Sequence, residues 1–112
     1  MAREVIKEFK NFVLEHITGV GANDTPYDEL EVRSIGTAKK HVVDIRLNYR
    51  GFYRYEGEPV FYMYNEVEVA HGMRMKKDSL AETKEYIDVL TEAIDVAFEV
   101  EKYCVLNGRW EG

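Results

Sequence analysis

The chain has 112 residues, 46% of them hydrophobic, with eight Tyr and five Phe but only two Pro and eight Gly. That composition fits one folded domain, 1–112, with one core, and excludes a second domain and a largely disordered chain. The net charge is −6, no apolar run approaches the ~20 residues that span a bilayer, and Met1-Ala2-Arg3-Glu4 lacks the apolar stretch of a signal peptide, so a cytoplasmic protein with no membrane contact is expected.

From Arg3 to Thr18, Val5, Ile6, Phe9, Phe12, Val13 and Ile17 recur at helical spacing, opposite Lys7, Glu8, Asn11 and Glu15, with Gly19 as a stop. An amphipathic N-terminal helix is expected there. Gly19 to Pro26 is rich in turn formers and reads as a flexible connection. A short strand follows, with Leu30, Val32 and Ser34 alternating with Glu31, Arg33 and Ile35, and Gly36-Thr37-Ala38-Lys39-Lys40 ends it.

From His41 the alternation is long. Val43, Ile45, Leu47, Tyr49 and Tyr53 share one face, and Asp44, Arg46, Asn48, Arg50, Phe52 and Arg54 the other. After a turn at Glu56-Gly57-Glu58-Pro59, a third strand sets Phe61, Met63, Val67, Val69, Met73 and Met75 against Tyr62, Tyr64, Glu66 and Glu68. The register must keep Glu66 and Glu68 out of the core. That pairs Tyr53 with Phe61, Leu47 with Val67 and Ile45 with Val69. On the outer face it sets Arg46 opposite Glu68, Arg50 opposite Tyr64 and Phe52 opposite Tyr62.

Ser79-Leu80-Ala81-Glu82 is a capping box, and no Gly or Pro follows until after Leu106. Ile87, Leu90, Ile94, Ala97 and Cys104 form one apolar stripe of the resulting helix; Tyr86, Val89, Ala93, Val96, Val100 and Tyr103 form a second. Together they exceed the ~100° arc that packing on one sheet requires, so burial by the first helix plus a homodimer contact is expected, with a monomer carrying an exposed apolar end as the equal alternative. The expected fold is α+β: a three-stranded antiparallel meander with a long second hairpin, an N-terminal helix and a long C-terminal helix, in the order α-β-β-β-α.

The chain carries no nucleophile motif, phosphate loop or metal-ligand spacing, so no enzyme and no cofactor is expected. His41 and His71, diagonal neighbours on the buried hairpin face, are the one pair that could begin a metal site, and the commoner reading is two ordinary imidazoles. Cys104 reads as a buried structural thiol.

Charge is segregated. Seven acids and one lysine between Glu82 and Glu101 carry the whole negative excess, whereas Gly36–Gly57 holds five bases and two acids. Glu85, Asp88, Glu92, Asp95 and Glu99 recur at intervals of 3 and 4 along one helix edge, a file spaced like the phosphates of a nucleic acid strand at ~5 Å. It is the candidate site for a basic protein partner. Arg46, Arg50 and Arg54 beside Phe52, Tyr62 and Tyr64 form the alternative, a nucleic-acid-binding sheet face that Glu66 and Glu68 disfavour.

The order helix, three antiparallel strands, helix resembles the double-stranded-RNA-binding domain, with Pro26-Tyr27, Gly36, His41, Gly72 and Lys76-Lys77 similarly placed. That resemblance implies RNA binding. The family's last helix opens with lysines and small residues, whereas here Asp78, Ser79 and an acidic helix follow. In general character the chain is also similar to small acidic α+β proteins with which phages inhibit host defence nucleases. The expected function is that of a non-enzymatic acidic interaction protein, an inhibitor or nucleic-acid mimic of viral type. Its helix would bind a basic, nucleic-acid-binding protein, with a small metal- or ligand-binding enzyme as the third reading.

Overall fold

A computed structural model describes residues 1–21, 24, 26–53, 61–72 and 79–110, without the side chains of 49–53 and 61–62. The protein is α+β, with strands β1 (Ala2–Glu8), β2 (Phe12–Val20) and β3 (Pro26–Ser34), a short helix α1 (Gly36–Lys40), strands β4 (Val43–Tyr53) and β5 (Phe61–His71), and a long helix α2 (Leu80–Leu106). The strands form a three-stranded antiparallel sheet, β1-β2-β3, and a separate β4-β5 hairpin. Turn residues 56–59, Met73 and Met75 lie outside the described residues.

The N-terminal helix expected over Arg3–Thr18 is instead the β1-β2 hairpin. Its helical spacing has two causes. A bulge between Val5 and Lys7 breaks the alternation of β1, and β2 is a central strand in which Phe12, Val13, Leu14, Glu15 and Ile17 are all buried. A strand covered on both faces loses its period of two. Glu15, expected on a solvated side, is buried between Arg33 (2.9 Å) and Arg3 (3.5 Å).

The expected three-stranded meander is also redrawn: β3 pairs with β2 and leaves β4-β5 as a hairpin of its own. Between them Gly36 (φ +52) and Val42 (φ +56) turn the chain at either end of α1. Side chains bridge the two sheets. The Ser34 hydroxyl donates to the Val43 carbonyl at 2.8 Å, and the Tyr64 hydroxyl donates to the Leu30 carbonyl at 3.1 Å and accepts from the Leu30 N–H.

The hairpin register is as expected at Ile45/Val69, Arg46/Glu68, Leu47/Val67, Phe52/Tyr62 and Tyr53/Phe61. Bulges between Asn48 and Gly51 change it locally. Tyr64 pairs with Tyr49, not Arg50, and the shifted parity turns its ring from the expected outer face into the core, where it is 2% exposed.

Helix α2 lies across both sheets. Tyr86, Val89, Ala93, Val96, Val100 and Cys104 form one core with Phe12, Leu14, Leu30, Val32, Val43, Ile45 and Tyr64. The cap is as read from the sequence, with the Glu82 N–H donating to Ser79 Oγ at 3.1 Å. At the far end Arg109 N–H donates to the Cys104 carbonyl (2.8 Å) and Gly108 N–H to that of Val105 (3.3 Å). With Gly108 at φ +68, this is a Schellman closure. It turns the chain back so that Tyr64 N–H reaches the Arg109 carbonyl at 2.7 Å.

Arg109 then ties the C-terminal segment to the first sheet. Its guanidinium donates to Asp28, whose Oδ1 lies 2.8 Å from His16 Nε2. Burial alone would raise the Asp28 carboxyl, but the hydrogen bonds from Arg109 and His16 outweigh it and hold it below the ordinary range. A pKa lowered by folding adds stability that is complete above the unfolded value near pH 4 and is lost as acid titrates the folded carboxylate. Asp28→Asn is therefore expected to lower the urea midpoint at neutral pH and to flatten its fall below about pH 4. Identical midpoints for the two proteins at neutral pH would refute this role.

Candidate functional site

At ~100° per residue, positions 85, 88, 92, 95 and 99 of α2 occupy one edge, between the buried stripe and solvent. The five carboxylates do not form an even, free ladder. Glu85 Oε1 accepts from Lys40 Nζ and lies 2.8 Å from His41 Nε2. The Lys40 bond first, then His41, holds its carboxyl below the ordinary range.

Glu92 is more firmly engaged. It accepts from Asn11 N at 2.8 Å and from Asn11 Nδ2 at 2.7 Å. Asn11 also accepts from the Ile35 N–H through its carbonyl (3.0 Å) and from the Thr37 N–H through Oδ1 (3.2 Å). One carboxylate and one amide thus join the β1-β2 turn, α1 and α2. This is a structural joint.

The outer members are looser. Asp88 meets Lys84 one turn away at 3.1 Å, with both side chains mostly exposed, a pair worth a few tenths of a kcal/mol. Glu99 lies 3.6 Å from Lys7. Asp95 is exposed and has no ion pair or hydrogen bond among the described residues.

Asp88, Asp95 and Glu99 border a shallow groove of about 400 Å³ that Phe9, Lys10, Glu92 and Val96 also line. The Lys7 ammonium lies 5.1 Å from the centre of the Phe9 ring, between that ring and Glu99. A cation is therefore already held here by an aromatic face and a carboxylate. Phe9 and Lys10 were not among the expected site residues, because a helix over Arg3–Thr18 gave no reason to bring them to α2. The groove exists only because that segment is a hairpin whose turn touches α2.

Comparison with known protein families, curated proteins and solved structures finds no match for this chain.

On the hairpin's outer face Arg46 is exposed opposite Glu68. Arg50, Phe52 and Tyr62 lie in the strands, but their side chains, and all of Arg54, fall outside the described residues. Tyr64 has left this face. Its phenol, pushed above its ordinary range chiefly by burial, is committed to Leu30.

His41 and His71 flank Tyr86, whose ring stands edge-on to both at 5.8 Å and 6.1 Å. His71 Nδ1 lies 2.7 Å from the Tyr86 hydroxyl. Among the described residues no three His, Cys, Asp or Glu side chains gather as metal ligands. Cys104 is fully buried, as read from the sequence, and burial pushes its thiol up to about 11.

Proposed function

We propose that this is a non-enzymatic interaction protein that binds a basic segment of a protein partner along the acidic edge of α2. The observation that carries the reading is Asp95, exposed and unpaired among the described residues, in a groove with Asp88, Glu99 and the Phe9 ring. Carboxylates beside the Phe9 ring suit a Lys or Arg side chain of a partner, which would take the place that Lys7 holds 5.1 Å from that ring.

The engagement of Glu85 and Glu92 narrows the proposal. A mimic of a nucleic acid strand needs evenly spaced free charges, whereas Asp88 meets Lys84, Glu99 meets Lys7, and Asp95 alone of the five has no partner among the described residues. Recognition of one or two basic side chains is the better supported form. Inhibition of a nucleic-acid-binding partner, by covering its basic surface, is a finer form that follows from it.

The test is an NMR titration of the protein with a short arginine-rich peptide at low salt. Shifts should concentrate at Phe9, Asp88, Asp95 and Val96, weaken with salt, and be lost in the Asp88→Asn/Asp95→Asn variant. Shifts spread evenly over all the acidic residues, or unchanged in that variant, would sink the proposal.

A further inference from the structure

The side of α2 turned away from the core is apolar and uncovered. Leu80, Ile87, Ile94, Phe98 and Val105 are 89%, 53%, 46%, 67% and 53% exposed. With Lys84, Thr91 and Glu101 they occupy positions 80, 84, 87, 91, 94, 98, 101 and 105, advancing by 4 and 3 in strict alternation. That is the 3.5-residue period of a two-helix seam, sustained over ~38 Å of helix. Single exposed apolar residues are ordinary, but five of them among the eight positions of one seam are not.

We infer that two copies of this chain pair along this seam with their α2 helices antiparallel, about a two-fold axis level with the Glu92–Ala93 peptide. The charges choose this arrangement. In that register Leu80 faces the partner's Val105, Ile87 the partner's Phe98, Thr91 the partner's Ile94, and Lys84 the partner's Glu101. Six of the eight positions find a neighbour of their own kind or of opposite charge, and Thr91 against Ile94 is the mixed pair. A parallel pair would set Lys84 on Lys84 and Glu101 on Glu101. Sliding the antiparallel pair by one heptad in either direction sets Lys84 or Glu101 against an uncharged residue or beyond the end of the seam.

The flanks differ. Leu90 and Ala97, both half-buried, border the seam on one side and extend its apolar surface. On the other side Asp88 of each copy approaches the partner's Asp95. This like-charge edge adds to the repulsion between two chains of net charge −6, which together outweigh the two Lys84–Glu101 pairs, so added salt should strengthen the dimer, whereas it should weaken the binding of a basic peptide. The pairing stands without the basic partner proposed above; if both hold, the dimer joins two acidic edges into one broader anionic ridge.

The experiment is sedimentation equilibrium of the full chain up to about 100 μM, a range that detects weak association, in low and high salt. A dimer is expected, favoured by salt. Ile87→Glu/Phe98→Glu should be monomeric, with the urea midpoint of the wild-type chain diluted until it too is monomeric, because both positions are exposed in the single chain. Lys84→Glu or Glu101→Lys alone should raise the dissociation constant about tenfold, and the two together should restore it. A monomer throughout, or a dimer indifferent to Ile87→Glu/Phe98→Glu, overturns the interface. Failure of the double charge exchange to restore association overturns the antiparallel register.

Discussion

Asn11→Ala is expected to destabilise the protein by about 2–3 kcal/mol, with the same sign from Glu92→Ala. The Asn11 side chain donates to the Glu92 carboxylate at 2.7 Å and accepts from the Thr37 N–H at 3.2 Å. Removing it strips one charge-assisted bond from Glu92 and leaves an N–H at the start of α1 without its acceptor. Asn11 is only 8% exposed, so water replaces those bonds poorly. Urea denaturation of the two single variants and the double variant measures the coupling. A double variant no worse than either single one is expected, since either change breaks the same joint, and fully additive losses would show that Asn11 and Glu92 act separately. The result bears on function, because reversal of Glu92 would report on stability and not on partner binding. Asp88 and Asp95 are the positions at which charge can be changed with the fold intact.

In α2 the Ser79 box and the absence of Gly and Pro up to Leu106 mark the helix from cap to end, although apolar residues also line its exposed side. What the sequence discloses of the strands follows how one-sided each one's burial is. The β4-β5 register is legible on that ground: Val43 and Ile45 are buried while Arg46 beside them is exposed. β2 offers no such contrast. Val13 and Ile17 are buried on one face and Phe12 and Leu14 on the other, and the resulting spacing imitates a helix turn. Mistaking that hairpin for a helix conceals the candidate groove, since Phe9 reaches α2 only from the β1-β2 turn. The acidic file is legible as a file, but its solvation is not. Glu85 meets Lys40 from 45 positions away and Glu92 meets Asn11 from 81, and no local pattern reports partners so distant.

Tyr64→Phe is expected to cost about 2 kcal/mol or more, although it removes one oxygen and keeps the ring. The two sheets are separate in their ladders. Leu30 lies on β3, the strand at the edge of its sheet, and the Tyr64 hydroxyl satisfies both its N–H and its carbonyl. A Phe ring would fill the same space and leave two buried backbone groups unpaired, each worth about 1–3 kcal/mol. Tyr103→Phe is the matched control, since Tyr103 is half-buried and its hydroxyl has no partner among the described residues; its effect should stay within about 0.5 kcal/mol. Amide exchange distinguishes a local from a global loss: the Leu30 N–H should exchange faster in Tyr64→Phe than the overall fall in stability explains. Were the two variants equally stable and Leu30 equally protected, the sheets would be held together by apolar packing alone. The bulge that turns Tyr64 inward would then be an accident of the hairpin, with no part in joining it to the first sheet.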